Sequence, residues 1–292
     1  MHVFVTGATG WVGSVVVRDL IEAGHRVTGL ARSADKAEAL AAVGGTVLSG
    51  TLDDLDLLGR AAAEADAVIH TAFNHDFSKF AENCEQDRRA IEALGGALVG
   101  SERPLIVTSG MAMLAKGRPA TEADVPPSGP SYPRQSEAAA AALRERGVRA
   151  ASVRLAPSVH GIGDHGFVPI LIAKARETGV SAYIGDGANR WPAVHRLDAG
   201  RLYRLVLEEG VTRPAYHACA EEGIAFKDIA AAIGRGLGVP VERREAEHFG
   251  WFAGFAGADM AASSEMTREW LGWRPEGPEL LADLAQPGYY QG

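Results

Sequence analysis

Three glycines, Gly7, Gly10 and Gly13, follow a short apolar run at a spacing of three, and few folds accept that arrangement. His2-Val3-Phe4-Val5-Thr6 has the β-branched, apolar character of one buried strand. Ser14 to Ala23 places Val15, Val16, Leu20 and Ile21 at helical spacing, and Gly24 closes the helix. Arg26-Val27-Thr28-Gly29-Leu30 begins a second strand. Strand, glycine turn, helix and strand form the context in which such a triplet binds a dinucleotide. Gly7 would permit the tight turn, Gly10 the approach of a pyrophosphate, and Gly13 close packing of helix on strand. The helix N-terminus would offer free N–H groups to the phosphates. Thr9, Trp11 and Val12 lie on the same turn and are expected to touch the cofactor.

The alternation continues. Strands are expected at 2–6, 26–30, 45–48, 66–70, 104–109 and 148–154, and helices at 12–23, 34–42, 53–63, 77–100 and 133–146. This predicts an α/β fold, a Rossmann-type doubly wound parallel sheet with ligands at the carboxyl ends of its strands. A Pro-, Gly- and Ser-rich loop at 115–131 interrupts it. Residues 1–157 read as the dinucleotide-binding domain, with 195–219 returning to it. Segments 158–194 and 220–292 read as a smaller substrate-binding lobe.

With 292 residues and a net charge of −8, the chain has room for both parts and carries no basic block. That speaks against nucleic-acid or anionic-membrane partners. The two cysteines, Cys84 and Cys219, form no motif and read as free thiols. No histidine pair has metal-ligand spacing, so no metal is expected. A first strand starting at residue 2 and the lack of a long apolar run point to a cytoplasmic protein.

Further along stand His70-Thr71-Ala72, Val107-Thr108-Ser109-Gly110, Tyr132-Pro133-Arg134-Gln135-Ser136, Arg154-Leu155-Ala156-Pro157-Ser158-Val159-His160-Gly161 and Val194-His195-Arg196-Leu197-Asp198. In order and spacing, these segments and the TGxxGxxG turn resemble the extended and atypical short-chain dehydrogenase/reductase superfamily, in its epimerase/dehydratase-like branch. The resemblance spans nearly the whole chain. It implies a cofactor bordered by Thr71, Ala72, Thr108, Ala156, Pro157, Ser158 and Val159. It also implies Tyr132 as proton donor, Ser109 as its serine partner, and a homodimer through the helices at 77–100 and 133–146. Two positions depart from the pattern. Ser136 stands where the family keeps a lysine, and Gly110 where a second serine is common.

The end of the second strand bears on NAD against NADP. It reads Ala31-Arg32-Ser33, with no acid at its tip. An arginine there accommodates a 2′-phosphate, so Arg32 and Ser33 point to NADP(H). Leu52 and Asp53 take the adenine-side position.

Placed on one helix, Tyr132 and Ser136 are a turn apart and share a face, while Arg134 faces away. Ser136 would keep a hydrogen bond to the ribose but supply no charge. Tyr132 would then stay near the ordinary phenol value of about 10. A substrate needing little acid assistance, a cyclic imine or an activated ketone, would suit such a site. Substrate-lining positions are expected at Met111, Met113, His160, Trp191, His195, His248, Phe249, Trp251 and Phe252. The aromatic run from His248 to Phe255 reads either as an apolar lid or as core filling of the smaller lobe. The leading expectation is an NADP(H)-dependent reductase of a C=O or C=N bond in a hydrophobic small molecule. A non-catalytic NADP(H)-binding redox sensor and a nucleotide-sugar epimerase or dehydratase are the alternatives.

Overall fold

A computed structural model describes residues 1–127 and 132–291, so residues 128–131 of the expected 115–131 loop lie outside the described residues. The chain runs β1 (His2–Thr6), α1 (Gly13–Glu22), β2 (Arg26–Ala31), α2 (Ala34–Ala42), β3 (Thr46–Ser49), α3 (Leu55–Glu64), β4 (Ala67–His70), α4 (Phe80–Gly96), β5 (Pro104–Gly110), α5 (Ser136–Glu145) and β6 (Arg149–Leu155). It continues through β7 (Ser158–His160), α6 (Phe167–Thr178), β8 (Ser181–Tyr183), β9 (Arg190–His195), α7 (Arg196–Glu208) and β10 (Ala215–Ala218). It ends with β11 (Glu221–Ala225), α8 (Phe226–Leu237), β12 (Val241–Arg243), α9 (Ala253–Ala256), α10 (Glu265–Leu271) and α11 (Leu280–Leu284).

Seven strands form one sheet in the order β10-β6-β5-β4-β1-β2-β3. β1 pairs in parallel with β2 and β4, β2 with β3, and β4 with β5. The fold is therefore the doubly wound α/β fold that the alternation predicts. Its central strands are apolar on both faces because helices cover both. Phe4, Val68, Ile69, Ile106 and Val107 are fully buried.

The chain divides into two compact units: 1–109, 126–154 and 200–216 form the first; 110–125, 155–199 and 217–292 form the second. The second has a three-stranded sheet, β11-β9-β7, and a β12-β8 pair. Its core joins Trp191, Phe226, Ile229, Phe249 and Phe252. Among the described residues, no helix is long and apolar enough to cross a membrane.

Candidate functional site

The glycine turn closes as its spacing requires. Gly7 has φ +66°, and a Cβ there would lie 2.6 Å from the Ala72 backbone nitrogen. A Cβ on Gly13 would lie 2.0 Å from the Gly7 carbonyl oxygen, so α1 can start there only with glycine. The Gly10 N–H donates to the Gly7 carbonyl at 2.9 Å. The Thr71 hydroxyl donates to the Thr6 carbonyl at 2.8 Å and ties the end of β4 to the turn. No side chain caps α1 at Val12; the Ser14 N–H donates to the Gly10 carbonyl and the Val15 N–H to the Val12 carbonyl, each at 3.0 Å, so backbone contacts alone hold the first turn.

At the end of β2, Arg32 is exposed and has no acidic partner among the described residues. Ser33 is the N-cap of α2, yet its hydroxyl makes no capping bond. Asp53 is held from α4, by Gln86 at 2.8 Å and Arg89 at 3.5 Å. Leu52 packs against the first unit's core.

Four buried groups link the carboxyl ends of β1 and β4 to α4 and α5. The Ser136 hydroxyl donates to Asp87 Oδ2 at 2.5 Å. Asp87 Oδ1 lies 3.0 Å from His70 Nε2, and His70 Nδ1 lies 2.7 Å from the Thr6 hydroxyl. With Nε2–H donating to Asp87, Nδ1 is left to accept the Thr6 proton. Asp87 sits on the buried face of α4 together with Asn83, Cys84, Ala90 and Ile91. Burial pushes the Cys84 thiol up to about 11, which keeps it protonated at neutral pH.

This arrangement corrects two expectations. Ser136 is fully buried and its proton is committed to Asp87, so it is not a free ribose ligand. Tyr132 and Ser136 also share no helical face, because α5 begins only at Ser136. Pro133 keeps Tyr132 itself out of helical backbone, which a proline disfavours at the residue before it. Arg134, ahead of the helix, is consequently not turned away. Its Nε donates to the Ser136 hydroxyl at 3.1 Å and one Nη to the Thr108 carbonyl at 3.1 Å, and the guanidinium lies 4.3 Å from the Phe73 ring centre. Tyr132 is half-buried. Burial raises its pKa above the ordinary phenol value, while the Arg134 charge works in the opposite direction. The Thr108 hydroxyl donates to the His70 carbonyl at 2.8 Å and meets the Tyr203 hydroxyl at 2.7 Å, so it too is engaged internally. Ser109 is buried on β5.

The second unit corrects more of the expected lining. Met111 packs with Leu114, Ala120, Cys219 and Ala262. Trp191, Phe249 and Phe252 are core residues, and the Trp191 indole donates to the Phe255 carbonyl at 3.2 Å. His160 is fully buried, with Nδ1 2.7 Å from Asp283 and its ring edge-on to His195 at 5.6 Å. These side chains are enclosed because the small lobe needs large rings to fill its own centre. Met113 and Trp251 are exposed, and His248 is half-buried. In the β6–β7 segment, Ala156 and Ser158 are buried while Pro157 and Val159 are half-buried.

Residues 3–219 match the model of the NAD dependent epimerase/dehydratase family. The chain belongs to that family. It is 50% identical over 296 residues to an uncharacterized protein of Schizosaccharomyces pombe, an alignment covering 99% of this chain and 100% of the yeast protein. A more distant relative, the 2-alkyl-3-oxoalkanoate reductase of Stenotrophomonas maltophilia, is 29% identical over 223 residues, 71% of this chain and 66% of that protein. Among solved structures, the dTDP-glucose 4,6-dehydratase DesIV of Streptomyces venezuelae, with NAD and TYD bound, shares the fold. Its TM-score is 0.77 at 21% identity, covering 99% of this chain and 96% of that one.

Sequence reasoning missed the Asp87–His70 pair, the reach of Arg134 and the rings of residues 73–80. The proline at 133 was the available signal for Arg134. Asp87 gave none, because one acid in a polar-looking helix carries no mark of burial.

Proposed function

We propose that this protein is an NADP(H)-dependent reductase of a C=O or C=N bond in a small, largely apolar molecule. The observation that carries the reading is Tyr132: a half-buried phenol whose burial keeps its proton, two residues from a guanidinium, in the unit that carries the glycine turn. A neutral phenol can pass its proton to a nascent alkoxide or amide anion, since either is a far stronger base than phenolate. Gly7 and Gly13 let the turn close against the Ala72 and Gly7 backbone, and this tight turn after β1, with Gly10 at its tip, suits a dinucleotide pyrophosphate. Arg32, exposed and without an acidic partner, and the uncapping Ser33 suit a 2′-phosphate. When bound, the dinucleotide supplies hydride. The reductase among the relatives acts on a ketone by its name, which supports carbonyl reduction here.

A non-catalytic dinucleotide sensor is favoured by one observation: Ser136 occupies the lysine position and is bonded to Asp87. The deciding experiment follows NADPH and NADH oxidation by the pure protein with a panel of ketones and cyclic imines. NADPH-dependent turnover supports the reductase. Tight NADPH binding with no turnover across the panel supports the sensor.

A further inference from the structure

We infer that Arg134 and the aromatic segment Phe73–Phe80 recognise a flat, apolar ligand bearing a carboxylate. This rests on the reductase reading for the site but concerns the charge and shape of what enters it. The chain is acidic, with 37 Asp and Glu against 29 Lys and Arg. Arg88, Arg118, Arg154, Arg190 and Arg204 are all paired with carboxylates. Arg134 forms no ion pair among the described residues, although it is half-buried. Asp87 lies one hydroxyl away, bridged by Ser136, and also bonds His70, so it makes no direct pair with the guanidinium. Nε and one Nη have partners, and Phe73 covers one face; the other Nη has no protein acceptor among the described residues. A half-buried guanidinium with a free N–H is best matched by an anionic oxygen, because a bond between two charged groups is stronger than one to a neutral carbonyl.

The second observation meets the first at Phe73. Directly after β4, four rings gather in one short stretch. Phe73 meets His75 at 5.4 Å and Phe80 at 6.1 Å, and Phe77 meets His75 at 6.2 Å and Phe80 at 6.0 Å. His75 is exposed and the three phenylalanines are half-buried. The Asp76 backbone carbonyl accepts from Asn83 at 2.8 Å and braces the loop. An aromatic shelf at the carboxyl end of a central parallel strand stands where this fold binds ligands. Rings left partly in water suit stacking against a flat apolar body, with the ligand's acid directed to Arg134.

The test is calorimetric titration with phenylpyruvate and with neutral phenylacetone, each with and without saturating NADPH. The wild type should bind the acid more tightly, on the order of tenfold or more, as expected for a hydrogen bond between charged groups. Arg134→Gln should bring the two probes to within about twofold of each other, and Arg134→Lys should restore part of the preference, since the cation returns without the planar fork. Phe77→Ala should weaken both probes together. Equal binding of acid and neutral probe, a preference that survives Arg134→Gln, or binding of neither probe would overturn the inference. Thermal melts of each variant confirm folding; should Arg134→Gln unfold, a wild-type acid preference that is unaltered by ionic strength would also overturn it. Loss of NADPH binding by the wild type would sink the reductase reading alone, because the probe ratio without NADPH still decides this one.

Discussion

Ser136 and Asp87, 49 positions apart, meet at 2.5 Å where the family pattern places a lysine. The Ser136 hydroxyl is a bridge: it donates to a buried carboxylate and accepts from Arg134. The cation near Tyr132 comes from the same segment, two residues earlier.

Ser136→Ala should destabilise the protein by about 1–3 kcal/mol, because it strips one partner from a buried carboxylate. Asp87 retains only His70 among these contacts. Urea unfolding at neutral pH would measure it. A change below a few tenths of a kcal/mol would mean water replaces the hydroxyl.

The sheet was legible in the sequence because each expected strand is a short apolar run between turn signals. The glycine turn was legible because its residues have no side-chain alternatives. The pairing of Ser136 with Asp87 was not, since it depends on which face of α4 meets α5. The ring of Trp191 illustrates the same limit: an aromatic residue among small ones reads equally well as pocket wall or core, and packing made it core.

Arg32→Glu should weaken NADPH binding by roughly tenfold to a hundredfold, since a charge-assisted contact to the 2′-phosphate becomes a repulsion. NADH binding should change far less. Fluorescence titration of both dinucleotides gives the ratio. Equal losses for the two would show that Arg32 does not read the phosphate.

Tyr132→Phe should lower reductive turnover about a hundredfold to ten-thousandfold while leaving NADPH affinity nearly intact. Burial raises the Tyr132 pKa, so the neutral phenol persists past the ordinary value of about 10. Turnover in the reductive direction should accordingly hold through pH 9 and fall only in stronger alkali. A pH profile that breaks near neutrality would assign the proton to another group.

Acid sensitivity should originate in the second unit, at His160. Its ring is fully buried, and burial lowers its pKa; the bonded Asp283 opposes that shift, and His195 adds to it. Glu221 lies 3.8 Å from Nε2, and burial raises its own carboxyl. A histidine with a depressed folded pKa contributes nothing to pH dependence above the unfolded value of about 6.5, where both states are neutral. Below it the unfolded chain takes up a proton that the folded one resists, so stability falls as pH drops toward the folded pKa. Glu221, whose carboxyl is raised by burial, pulls the other way, and His160→Asn leaves that contribution in place. Melting temperature should therefore decline as pH falls below about 6.5, and His160→Asn should flatten that slope. An unchanged slope in the variant would move the sensitivity elsewhere.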